Sequence, residues 1–179
     1  MRVLALTGTP GTGKTTVARG LADEVTVVDA NDLAERVDAV DDHDEARDAA
    51  LVDEHRLEQR ARQALPDEGR VLVEGLLAHR CDPDAVVLLR CHPDELGARL
   101  ADRNWPQAKV EENVMAETLD ALVPEIEAPA RELDTTDRSP ADVHAIVDSV
   151  LAEGSLDRPE LDPLGTADWT DTLAAEGAP

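Results

Sequence analysis

Tyrosine and phenylalanine are absent from this 179-residue chain, and Trp105 and Trp169 are its only aromatic residues of the Phe, Tyr and Trp class. Lysine is almost absent too: of 17 basic residues, only Lys14 and Lys109 are lysines, set against 40 acidic ones. The resulting net charge of −23 excludes a broad basic face for non-specific nucleic-acid binding. An Ala-, Val- and Asp-rich chain so poor in lysine suggests adaptation to high salt, where screening removes the self-repulsion of the charge. No apolar run reaches 18 residues, which excludes a spanning helix. The N-terminus enters an apolar run at once, so no signal peptide is expected. Two cysteines, Cys81 and Cys91, make no disulfide framework, and with His79 and His92 they match no metal-ligand spacing. A cytoplasmic protein is expected, with neither a membrane nor a DNA partner.

What the chain does contain begins at residue 3. Val3 to Thr7 is a short apolar run, Gly8-Thr9-Pro10-Gly11-Thr12-Gly13-Lys14-Thr15 follows directly, and Thr16 to Glu24 reads as a helix. This is G-x-x-x-x-G-K-[ST] between a strand and a helix, the setting in which the pattern marks a phosphate-binding loop. Glycines let successive amides point at one anion, and the helix N-terminus adds partial positive charge. Lys14 supplies a mobile charge for the β- and γ-phosphates, and the Thr15 hydroxyl can hold Mg²⁺.

Further apolar runs at 25–29, 71–75, 85–90 and 132–135 alternate with helical patterns at 33–37, 52–65, 93–103, 107–122 and 141–152. Asn31-Asp32 reads as a helix cap, Pro93 as a first-turn proline and Ser139-Pro140 as a cap. The alternation predicts a three-layer α/β domain with a five-stranded parallel sheet. Residues 38–50 are acidic, weakly patterned, and expected to form a loop. Residues 154–179 are acidic and rich in Pro and Gly, and are expected to form a flexible tail with Trp169 as a candidate anchor.

Glu74 ends the 71–75 run, where a phosphate-loop protein keeps the acid that positions Mg²⁺ and its waters. No Asn-Lys pair occurs, so the base-reading motif of GTPases is missing, and the short length favours a small-molecule or nucleoside monophosphate kinase. Arg99 and Arg103 lie four residues apart on one helix face before Asn104-Trp105-Pro106, suited to close over a transferring phosphoryl group, and Lys109 lies just beyond. Arg36 and Arg56 flank the 38–50 region and Arg47 lies within it, and the three form a candidate acceptor site.

With these pieces placed, residues 2–152 resemble the adenylate kinase isoenzyme 6 family, an archaeal and eukaryotic nuclear group. The matching stretches are LTGTPGTGKTT at 6–16, DLA at 32–34, LVDEHRL at 51–57, GRVLVEG at 69–75, VVLLRCHPDEL at 86–96, RLADRNW with KVEEN within 99–113, and DTT at 134–136. The resemblance implies a P-loop nucleoside monophosphate kinase-like domain over 1–153, with a monophosphate-binding region at about 29–52 and a short lid at about 102–112. ATP would be held by Gly11, Gly13, Lys14, Thr15, Thr16 and Arg103. Arg36, Asp53 and Arg56 are the candidate acceptor contacts. The implied activity is phosphoryl transfer from ATP with Mg²⁺ to AMP or another monophosphate, alongside ATPase activity. The implied wider role is maturation of the small ribosomal subunit, with a ribosomal protein and precursor rRNA as partners. A ribosome-assembly ATPase with incidental kinase activity is the alternative, and a dephospho-coenzyme A kinase is a weaker third. Two departures stand out. Leu76 occupies the place of a family histidine in Glu74-Gly75-Leu76, and Glu35 directly follows DLA where an arginine is expected, Arg36 coming one place late.

Overall fold

The computed structural model describes residues 1–21, 23–44, 49–103 and 105–172. Strand β1 (Val3–Thr7) is buried along its whole length. Leu4 and Leu6 face one side and Val3 and Ala5 the other, as strand alternation requires. Helix α1 (Lys14–Leu21) follows the glycine-rich turn, then β2 (Thr26–Asp29) and α2 (Ala30–Arg36). Strands β3 (Val40–Asp44) and β4 (Ala49–Val52) precede α3 (Glu54–Ala64), β5 (Val71–Glu74), β6 (Ala85–Arg90), α4 (Pro93–Ala101) and α5 (Gln107–Thr118). Strand β7 (Ala130–Asp134), α6 (Pro140–Glu153) and the two-residue β8 (Asp162–Pro163) complete the order.

The main sheet runs β2-β5-β1-β6-β7-β8. Its first five strands are parallel, as expected, and β8 adds an antiparallel edge through Arg131↔Pro163 and Glu132↔Asp162. Helices α1 and α6 bury Val17, Leu21, Val143, Val147 and Val150 on one face of the sheet. Helices α2 and α3 bury Leu33, Leu57 and Ala61 on the other. Strand β1 lies between β5 and β6, so the order reverses at its carboxyl end and opens a crevice there, the usual ligand site of open α/β sheets. Helices α4 and α5 form a hairpin with its own apolar cluster of Cys91, Leu96, Leu100 and Val110, flanked by Trp105 and Val114.

Three expectations need correction. The 38–50 region is no plain loop: β3 and β4 pair as an antiparallel ribbon from Val40↔Val52 to Asp44↔Ala49. Its acidic sequence lacks alternation, so the pairing left no period-2 signal. Asn31 and Asp32 do not cap α2. Asp29 does, accepting from both of their amides, and the helix begins earlier. The segment after Gly154 is docked rather than loose over much of its length. Leu161 is buried in the main core, Glu132 accepts from the amides of Gly165 and Ala167, and the Trp169 ring meets His92 edge-on at 5.0 Å. One buried leucine and main-chain pairing hold it, and composition records neither.

Candidate active site

The loop from Gly8 to Gly13 joins β1 to α1 under tight constraint. A Cβ at Gly8 would lie 2.5 Å from the Leu89 carbonyl oxygen, so this position accepts no side chain. Gly11 has φ +99, and its Cβ would meet Leu96 Cδ1 at 2.7 Å, so the loop lies directly on the α4–α5 hairpin. Thr12 Oγ1 donates to the Thr9 carbonyl at 2.9 Å, and Thr135 Oγ1 lies 3.2 Å from the Thr12 carbonyl, tying the loop to the end of β7.

Lys14 is buried and folded back on the loop. Its Nζ donates to the carbonyls of Gly8 at 2.5 Å and Thr9 at 3.1 Å. Burial pushes its pKa down to about 8, Glu74 and Glu117 oppose that shift, and Arg103 adds to it. Thr15 Oγ1 donates to Glu74 Oε2 at 3.2 Å, bringing the first turn of α1 to the end of β5. Burial raises the pKa of Glu74, Asp29 across the strand pair adds to this, and the Thr15 hydroxyl and Lys14 pull it down. A hydroxyl and a desolvated carboxylate side by side are hard oxygen donors suited to Mg²⁺. Among the described residues, no group of three or more His, Cys, Asp or Glu side chains is arranged to hold a metal. These two donors therefore fit an ion that takes its remaining ligands from phosphate and water.

A cavity of about 280 Å³ opens beside the loop. Gly11, Gly13 and Thr16 form one wall, and Arg99, Arg103, Thr135 and Arg138 stand around it, so three of the predicted loop residues and both predicted arginines line one cavity, while Lys14, Thr15 and Glu74 lie outside its lining. Arg103 is exposed. Arg99 is fixed instead: it bonds Glu95 at 2.9 Å and the carbonyls of Thr135 and Thr136 at 3.0 and 3.1 Å, bracing the cavity wall. Lys109 lies on α5, its ammonium 4.6 Å from the Trp105 ring centre.

The acceptor candidates divide. Asp53 caps α3 by accepting from the Arg56 amide at 2.9 Å, and its other oxygen pairs with the Arg56 guanidinium at 2.9 Å. The Arg56 amide is the chief cause of the lowered Asp53 pKa. Arg56 also reaches the Asp38 carbonyl and Asp41, tying α3 to the ribbon. Arg36 ends α2 in an exposed position, and Arg47 lies outside the described residues. Leu76 is 43% exposed just past Glu74, while His79 is buried beneath it and contacts the Leu76 carbonyl, away from the family histidine's place.

The sequence reading missed Arg90 and Glu117. Arg90 closes an otherwise apolar strand that is buried throughout, and it pairs with Glu117 at 2.7 Å, Glu132 at 3.2 Å and Asp120. A guanidinium at the end of a fully buried strand was the available signal, since such a charge requires buried partners. Thr135 and Arg138 were missed as well, and only the fold brings them to the cavity.

The AAA domain family profile matches residues 4–120. A protein of Natronomonas pharaonis described as "Putative adenylate kinase" is 39% identical over 178 residues, covering 97% of this chain and 100% of its own. One of the same description from Halobacterium salinarum is 40% identical, covering 96% and 99%. Another from Methanocaldococcus jannaschii is 32% identical, covering 94% and 93%. A solved protein of Thermus thermophilus matches with TM-score 0.55 at 20% identity, over 86% of this chain and 98% of its own. A sugar kinase of a Janibacter species matches with TM-score 0.53 at 20% identity, over 85% and 95%, a likeness of fold.

Proposed function

The chain belongs to the AAA domain family and to the archaeal group that these relatives represent, and on that basis we propose that it transfers the γ-phosphoryl group of ATP to a nucleoside monophosphate, with AMP the favoured acceptor and two ADP the products. The observation that carries the reading is the convergence of the phosphate loop, Arg99 and Arg103 on one cavity. Loop amides and the start of α1 receive the phosphates of ATP. Lys14 leaves the carbonyls of Gly8 and Thr9 for the β- and γ-oxygens. Arg103 offsets charge on the transferring group, and Arg99 holds the wall and adds its charge. Thr15 and Glu74 are the residues that would hold Mg²⁺, Glu74 partly through water. When bound, the ion neutralises charge on the phosphates. Arg36, Asp53 and Arg56 border the acceptor region at about 29–52, and residues 102–112 act as the lid of a catalytic unit spanning 1–153. The lid excludes water, and transfer passes in line without a covalent intermediate.

Leu76 in the place of a family histidine favours transfer to an acceptor over hydrolysis of ATP. A second role, in small-subunit ribosome maturation in the cytoplasm with a ribosomal protein and precursor rRNA as partners, is favoured by the net charge of −23, which suits a basic partner. Pull-down at high salt tests it: recovery of a small-subunit protein supports the role, and recovery of no ribosomal component removes it. Turnover of a nucleotide panel in molar KCl tests the kinase reading.

A further inference from the structure

Three residues outside the phosphate-loop motif's conserved positions meet beneath it. Glu117, near the end of α5, is 3% exposed. One carboxylate oxygen accepts from Arg90 Nε at 2.7 Å and from the Cys91 amide at 3.1 Å, and the other accepts from the Thr9 hydroxyl at 2.6 Å. Thr9 is an unspecified position of the loop pattern. Its carbonyl is one of the two that Lys14 rests on, and it also accepts from Thr12. Arg90 is held in turn by Glu132 and Asp120 through its two terminal nitrogens, so the carboxylate cannot rotate away without leaving the buried Arg90 Nε unpaired. A second contact joins the same two parts: Gly11 lies against Leu96 and Leu100 of α4. The α4–α5 hairpin and the phosphate loop are thus joined at two points, by packing at Gly11 and by a charge-assisted bond at Thr9.

We propose that Glu117 is a positioning residue for ATP: clamped by Arg90 and the Cys91 amide, it fixes Thr9, and through Thr9 it sets the phosphate loop and the carbonyls from which Lys14 moves to the phosphates. The proposal rests on the reading of this loop as the ATP site. It makes the lid's root helix part of the phosphate site, so a change in α5 reaches Lys14 through one hydroxyl. A buried ion pair that only supports the fold predicts something different, because the Arg90 pairing does not require the Thr9 hydroxyl.

The test uses the full chain in molar KCl. Thr9→Val removes the hydroxyl at nearly constant volume and leaves the Arg90–Glu117 pair in place. Thr9→Ser keeps the hydroxyl. Glu117→Gln keeps the shape and removes the charge, and the double variant Thr9→Val/Glu117→Gln closes a cycle. Circular dichroism melting confirms that each variant is folded, and where Glu117→Gln does not fold the Thr9 pair decides alone. ATP affinity by calorimetry and kcat and KM for transfer to AMP are the readouts. Thr9→Val is expected to weaken ATP affinity and lower kcat by about tenfold or more, since a small displacement of positioning groups costs that much. Thr9→Ser is expected to stay within about twofold of wild type, and the double variant to be no worse than the weaker single variant. A folded Thr9→Val protein with wild-type affinity and kcat overturns the proposal, as does a double variant whose losses multiply. A wild type that binds ATP but phosphorylates no monophosphate overturns the kinase reading alone, and the affinities of the same variants then decide the role of Glu117.

Discussion

Thr15 and Glu74 meet across 3.2 Å, a hydroxyl from the first turn of α1 against a carboxylate at the end of β5, and the carboxylate is held there at the expense of its own hydration. Its raised pKa means that the folded state binds a proton more readily than the unfolded chain, so folding stability falls as pH rises through that titration. Glu74→Gln removes the burial penalty. The variant is expected to melt no lower than wild type at neutral pH without Mg²⁺ and ATP, yet to lose most of its Mg²⁺-dependent turnover. Thermal melts paired with Mg²⁺ titrations of activity check this. A destabilised variant with full turnover would place the role of Glu74 in the fold instead.

Lys14 rests on two loop carbonyls in a buried site. Lys14→Ala should reduce kcat/KM by about 3 kcal/mol or more, the scale of losing a preorganised charge at a developing one. The melting temperature should change little, because the buried ammonium carries a desolvation cost that offsets its hydrogen bonds. Steady-state kinetics with a melt on the same preparation separate these effects.

Asp84 accepts from the amides of Arg2 at 2.6 Å and Val3 at 2.9 Å and pairs with Arg62 at 2.8 Å. Burial acts to raise its pKa, but the two amides and Arg62 outweigh it and bring it to about 2. A carboxylate depressed in the fold contributes stability above its unfolded pKa, and that contribution is lost as pH falls from about 4 to about 2. Asp84→Asn should therefore lose about 1–2 kcal/mol at neutral pH, discounted for partial exposure. Its stability relative to wild type should recover toward pH 2. Denaturant melts across that range give the answer.

Leu161 decides whether the C-terminal segment belongs to the domain. It is 6% exposed and packs in the same cluster as Val147 and Leu133. Leu161→Ala should cost about 2–3 kcal/mol, as for other buried leucines. An unchanged denaturation midpoint would return the segment to the status of a tail.

The sheet and the strand–turn–helix of the candidate phosphate loop were legible because their signals are local. Val71 to Glu74 and Ala85 to Arg90 are continuous apolar runs, and the glycine spacing before Lys14 leaves few other uses for such a turn. The β3–β4 ribbon was not legible, because β3 is acidic and unpatterned and β4 is a four-residue apolar run leading straight into a helix, and the two pair only with each other. The Thr9–Glu117 contact spans 108 residues of chain, and nothing about Glu117 within α5 distinguishes it from the other acids there. Arg99 lies on α4 as its helical spacing predicts, but α4 ends at Ala101 with Asp102 as its cap, so Arg103 stands in the turn beyond the helix instead of on its face. That Thr135 and Thr136 hold Arg99 fixed was not legible, since the two residues follow β7, 36 and 37 residues along the chain, and only the β6–β7 pairing brings them to α4.

Transfer of a phosphoryl group to a nucleoside monophosphate and hydrolysis of ATP leave different products. ATP with Mg²⁺ is incubated with the full chain in molar KCl, with and without AMP, and ADP and free phosphate are both quantified. Two ADP are expected for each AMP consumed, with little free phosphate in either arm and loss of the AMP-dependent signal in Lys14→Ala. Free phosphate released at the same rate with or without AMP, and no AMP consumed, would contradict phosphoryl transfer and make the protein an ATPase.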